Sequence, residues 1–130
     1  MKVIVDFNPD IVHIHNLHGY YINVKILFEY LKKKNIKVIW MLHDCWAYTG
    51  HCSHYVEHKC YKWKTCCEKC KRKKDYPVSW LLNNSKNNFL KKKRYFTLLD
   101  KEQLEIVVPS KWLKNETEKS FLKKYKVRVF

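Results

Sequence analysis

Hydrophobic positions fall in short runs separated by polar, lysine-rich segments, and the spacing within each run predicts its element. PDIVHIH (9–15) predicts a strand: a Pro-Asp turn precedes it, and Ile11, Val12 and Ile14 are β-branched. YYINVKILFEYLKKKN (20–35) has helical length. Val24, Leu27, Phe28 and Leu31 form its core-facing stripe, Lys32, Lys33 and Lys34 suit the helix dipole, and Asn35 can close it. KVIWML (37–42) predicts a second strand, its unbroken apolar run suggesting burial on both faces. SKNNFLKKKRYF (85–96) predicts a basic helix and LEIVVPS (104–110) a third strand. Ser110 is placed to cap a helix over 111–125, where Leu113, Thr117 and Phe121 recur at four-residue spacing, and KVRVF (126–130) predicts a fourth strand.

Strand, helix, strand, long loop, helix, strand, helix, strand is the pattern of an α/β protein with a Rossmann-like parallel sheet. Ligands of such sheets bind at the carboxyl ends of the strands. Those ends carry His15-Asn16-Leu17-His18, His43-Asp44-Cys45-Trp46 and Pro109-Ser110-Lys111, polar clusters that suggest a cleft. With Gly19 and Gly50 as the only glycines, the chain has no Gly-rich phosphate loop.

The long loop changes the picture. HDCWAYTGHCSHYVEHKCYKWKTCCEKC (43–70) holds all six cysteines and four of the seven histidines. Cys52, Cys60, Cys67 and Cys70 give C-x7-C-x6-C-x2-C, whose closing pair is half of a tetrahedral zinc site. Four thiolates would close the coordination sphere around a structural ion. Disulfides and free thiols are the alternatives. Cys66 could replace Cys67, His51, His54 or His58 could replace a thiol, and Cys45 beside His43 and Asp44 is a weaker candidate nucleophile.

Charge adds a partner class. The 130 residues hold 27 Lys and Arg against 12 Asp and Glu, a net charge of +15, which fits an anionic partner or a lysine-biased composition. The basic residues of 59–74 and 86–94 are interleaved with or followed by Tyr61, Trp63, Tyr76 and Trp80. That mixture suits an anionic membrane surface or a nucleic acid. The opening MKVIVDFNPD is too short in its apolar run for a signal peptide, and no stretch approaches about 20 apolar residues, so the expected compartment is the cytoplasm.

Taken in order, PDIVHIHNLHGYYIN, LHDCWAYTGHC, the cysteine loop, YPVSW, VVPSKWL and SFLKKYKVRVF resemble bacterial glycosyltransferases of family 4, over nearly the whole chain. The resemblance implies a GT-B architecture of two Rossmann-like domains. Residues 1–130 would be part of the N-terminal, acceptor-binding domain, with a Cys-rich insertion at 51–75. The C-terminal domain, with its E-x7-E glutamate pair and nucleotide-sugar site, would be absent, leaving a fragment inactive alone. It implies transfer of a sugar from a nucleotide-sugar to a growing surface polysaccharide or lipid-linked acceptor, with retention, without a catalytic metal, and at the inner face of the cell membrane. His43 matches the family histidine near the reacting sugar. Asp44, Trp46, Thr49 and Gly50 match the same loop, His15, Asn16 and His18 the loop on the acceptor side, and Ser110 and Lys111 the turn facing the cleft. Cys66 departs from the pattern, where glycine is usual. The reading from another class is a small basic zinc-stabilised module that binds nucleic acid. The βαβ pattern and the polar strand ends count against it, so nucleic acid is the less expected partner.

Overall fold

The computed structural model describes residues 2–18, 21–71 and 84–130. The elements run α1 (Lys2–Phe7), β1 (Ile11–Ile14), α2 (Val24–Lys34), β2 (Lys37–Met41), α3 (Ser85–Phe96), β3 (Leu104–Val108), α4 (Lys111–Glu118) and β4 (Lys126–Val129). Between β2 and α3 the described chain forms three single 3-10 turns, at Trp46–Tyr48, Val56–His58 and Lys62–Lys64. The strands form one wholly parallel sheet in the order β1-β2-β3-β4. This is the Rossmann-like arrangement expected from the sequence.

A monotonic strand order has a physical consequence. Right-handed crossovers lay every connecting helix on the same face of the sheet. The row Ile14, Trp40, Ile106 and Val127, matched strand to strand by the register, is buried on that face. The neighbouring row of His13, Ile39, Glu105 and Lys126 faces outward. The expectation that β2 is buried on both faces is therefore corrected: Val38 and Trp40 are buried, whereas Lys37 and Ile39 are exposed. On the outward face Arg128 makes a two-pronged ion pair with Glu105.

The helices form for the reasons the pattern gave. The Asn23 side chain caps α2, accepting from the Ile26 N–H, and Asn35 closes it in the left-handed conformation at φ 51°. Leu27, Phe28 and Leu31 are buried. Phe28, Trp40 and Phe96 pack as a triangle of rings with centroids 4.7–5.8 Å apart, joining α2, β2 and α3. Ser110 Oγ accepts from the Leu113 N–H at 3.1 Å, but α4 ends at Glu118, before Phe121. The expected run to 125 breaks into turns, in which Ser120 Oγ accepts from the Leu122 N–H. The α1 helix was not foreseen, and none of its residues is buried.

Candidate functional site

The parallel register brings the carboxyl ends of β1 and β2 side by side, and the histidine clusters expected there do meet. The indole N–H of Trp40 donates to the His15 carbonyl at 3.0 Å, fixing the chain as it leaves β1. His15 Nδ1 then lies 3.0 Å from His43 Nε2, with the rings stacked 5.3 Å apart. One of these nitrogens must carry the shared proton, so the pair is a donor and an acceptor at one exposed spot. His18 Nε2 lies 3.3 Å from Asp44 Oδ2, while Asp44 Oδ1 accepts from the Trp46 N–H at 2.7 Å. Asn16 is exposed beside them, and its carbonyl accepts from the Tyr21 hydroxyl.

The turn after Asp44 is held from behind by Lys92. This residue is buried in the middle of α3, and its ammonium donates to the carbonyls of Trp46 at 2.7 Å and Thr49 at 3.1 Å. It also stands 3.4 Å over the Trp46 ring, which has the rings of His18 at 5.3 Å and Phe96 at 6.1 Å beside it. Burial lowers the Lys92 pKa well below the ordinary value, and interactions with Cys67, Asp44 and Cys52 act against that shift. Thr49 is wholly buried and donates to the Cys52 carbonyl at 2.5 Å, so its hydroxyl folds the loop. Gly50 is equally confined: a Cβ there would lie 2.5 Å from the Ser85 carbonyl oxygen. Leu17, His18, Ile22, Trp46, His51 and Lys92 are among the residues that line a cavity of about 220 Å³, whereas His15 and His43 line a separate crevice of about 10 Å³ that shares Leu17, His18 and Trp46 with it.

Sequence reasoning missed Lys92 and His51 as parts of this wall. Lys92 lies in the basic run 86–94, whose composition suggests a surface for an anionic partner. Its signal was positional, because it shares the buried stripe Ser85, Phe89, Lys92 and Phe96 at spacings that keep one helical face. His51 was considered only as a substitute metal ligand, yet it is buried against the cavity.

Cys45 does not suit a nucleophile. Burial pushes its thiol up to about 11, outweighing a hydrogen bond with Tyr48 that pulls the other way, and so it stays protonated at neutral pH. The six cysteines are free thiols. Among the described residues, no group of three or more His, Cys, Asp or Glu stands in an arrangement ready to hold a metal ion. Cys52 is nevertheless hydrogen-bonded to Cys70, with Cys67 and Cys60 within electrostatic reach. His54 and His58 are exposed, and His58 lies 3.9 Å from Glu57. Ser110 is occupied as the cap of α4, and Lys111 is exposed at the carboxyl end of β3, on the same edge of the sheet as His15 and His43. Tyr76, Trp80 and the YPVSW segment lie outside the described residues, as does part of the basic run, 72–74.

One comparison with known proteins is informative. The chain is 39% identical over 74 residues to the "Putative colanic acid biosynthesis glycosyl transferase WcaC" of Escherichia coli (strain K12). The match covers 53% of this chain and 18% of that protein, so the chain spans about a fifth of its relative. No protein-family model matches the chain. No solved structure matches it.

Proposed function

We propose that this chain is the acceptor-side portion of a glycosyltransferase of the family 4, GT-B type. In the reaction, an acceptor hydroxyl bonds to the anomeric carbon of a nucleotide-sugar as the bond to the nucleotide breaks. The acceptor is a growing surface polysaccharide or a lipid-linked sugar. The observation that carries the reading is the meeting of His15 and His43 at 3.0 Å, at the carboxyl edge of a parallel sheet. The stretch shared with a glycosyl transferase supports it.

The residues divide the work by position. His43 presents an imidazole nitrogen to the reacting sugars, where it hydrogen-bonds the donor sugar or orients the acceptor hydroxyl, and His15 fixes its tautomer. Asp44 holds His18 and the Trp46 backbone, so the acceptor wall is set before substrate arrives. Groups that stabilise charge on the leaving nucleotide belong to the donor-binding domain, so this chain by itself is expected to be inactive. The chemistry asks for no catalytic metal, and the zinc expected from the cysteine spacing is structural. The enzyme works at the inner face of the cell membrane, with the basic surface of this portion against anionic lipid.

Steady-state kinetics of the complete enzyme carrying His43→Ala tests the assignment. The expected result is a kcat at least about tenfold lower, with KM for the acceptor changed less, because a group acting mainly in the transition state is lost. An unchanged kcat would make His43 structural and remove the reading's main support.

A further inference from the structure

We propose that Cys52, Cys60, Cys67 and Cys70 bind one zinc ion, and that this ion fixes the outer wall of the histidine cleft. The metal site stands without the transferase reading, and only its consequence for the cleft rests on that reading.

Cys52 is the hub of the four thiols. Cys52 hydrogen-bonds Cys70, and both Cys60 and Cys67 act on Cys52 through space. Cys67 in turn faces Cys60 and Cys70. Cys52, Cys60 and Cys70 open on one cavity of about 550 Å³. The other two cysteines are engaged elsewhere: Cys45 with Tyr48, and Cys66 with the Cys67 carbonyl, 3.9 Å from its sulfur. The structure thus separates the two adjacent cysteines, and it assigns Cys67 to the cluster. Thiols that share a hydrogen bond are close to the sulfur–sulfur edge of a zinc tetrahedron, about 3.8 Å for Zn–S bonds of about 2.3 Å. Among the described residues no three ligands yet stand in coordination geometry, so binding requires Cys60 and Cys67 to close onto the Cys52–Cys70 pair.

The loop also has the build of a segment that needs an ion. From 43 to 71 it forms three single 3-10 turns and no longer element. Its aromatic packing centres on Trp63, with Tyr48 and Tyr55 each 5.1 Å from it. Lys59 and Lys69 hold left-handed backbone at φ 48° and 47°, each immediately before a ligand cysteine. Only firm anchoring keeps such residues in that conformation. Zinc softness matches thiolate donors, and four of them leave no open position for catalysis. The double negative charge of a four-thiolate zinc centre would be met by Lys92, which faces Cys67 and Cys52, and by the loop lysines.

The consequence for the cleft follows from contacts already present. Cys52 accepts from Thr49 through its carbonyl, and the Cys45 N–H donates to Ser53 at 3.0 Å. Gly50 packs against the Cβ of Cys67. An ion at Cys52 and Cys67 therefore anchors both ends of the turn that carries Trp46.

The test is metal content of the full chain, purified reduced and dialysed against a weak chelator, read by elemental mass spectrometry. About one zinc per chain is expected. Cys45→Ser and Cys66→Ser should each retain it, and Cys52→Ser and Cys70→Ser should each lose it. Titration of the wild-type apo chain with cobalt(II) keeps the proposal falsifiable if the serine variants fail to fold. Intense thiolate-to-cobalt absorption saturating at one equivalent supports the site. A folded, zinc-free chain without that absorption overturns it, as does intact-mass evidence of disulfides in the freshly isolated protein. Loss of zinc from Cys66→Ser, with retention in Cys67→Ser, overturns the ligand set.

Discussion

Gly50 shows how tightly single residues are fitted around the cleft. A Cβ at that position would sit 2.5 Å from a backbone oxygen of Ser85 and 2.6 Å from the Cys67 Cβ, and neither is the free end of a flexible side chain. Gly50→Ala should therefore cost about 1–3 kcal/mol, the usual range for overpacking, seen as a lower urea midpoint. An unchanged midpoint would mean that the loop moves freely off α3. Glu116 gives a prediction in pH. Its burial favours the neutral acid, but hydrogen bonds from Lys119 at 2.7 Å and from the Tyr55 hydroxyl outweigh this, and its pKa lies below the ordinary 4.5. A carboxyl depressed in the folded state contributes stability that is present above its unfolded value and lost as pH falls through the folded one. Urea midpoints should decline with acidification below that value, and Glu116→Gln should flatten part of the decline. At this scale the sequence was half legible. His15, His18, His43 and Asp44 were readable because strand ends predict where polar groups gather. Lys92 was not, because the same lysine run serves a buried stripe and a solvated face at once.

Elements were the most legible scale where local rules and packing agreed. Asn35 was identified as the closing residue of α2, and Ser110 as the cap of α4, and both hold in the structure. The reading failed where tertiary context decides. One apolar run in β2 cannot reveal that a monotonic strand order puts the crossover helices on a single sheet face, and the end of α4 is set by turns after Glu118. Contacts between elements were invisible for the same reason, and Gln103 is the clearest case. It is buried just before β3, and its amide N–H groups donate to the carbonyls of Leu31 at 2.8 Å and Ile36 at 2.9 Å. One side chain thus satisfies the open carboxyl end of α2 and the turn into β2. Gln103→Leu keeps the volume but removes a partner from the Ile36 carbonyl, whereas the Leu31 carbonyl still accepts from the Ile36 N–H at 3.2 Å. The expected loss is about 1 kcal/mol in urea unfolding, together with faster amide exchange in the last turn of α2. A loss confined to a few tenths would show that water replaces the amide.

At the scale of the whole molecule, charge is the property the sequence states most plainly and explains least. A net charge of +15 fits an anionic partner or a lysine-biased composition without choosing between them. The structure adds distribution: Lys59, Lys62, Lys64, Lys69 and Lys71 are exposed on the cysteine loop, near exposed Val56 and Tyr61. Trp112 is half exposed and lies 6.4 Å, ring to ring, from Tyr55 of that loop. Aromatic rings that reach headgroup depth, with lysines at phosphate level, suit a lipid surface. Among the described residues no helix is long and apolar enough to cross a membrane, so contact through these helices would be peripheral. Cosedimentation with vesicles of phosphatidylglycerol and phosphatidylcholine should show binding that weakens steeply as salt rises from about 0.1 to 1 M, where the screening length falls from about 10 to 3 Å. Replacing Lys62, Lys64 and Lys69 with glutamate should abolish it. Binding to pure phosphatidylcholine of equal strength would remove the electrostatic basis. Tight sequence-selective binding to RNA or DNA, with none to vesicles, would instead make the basic loop a nucleic-acid surface and displace the membrane from the proposed function.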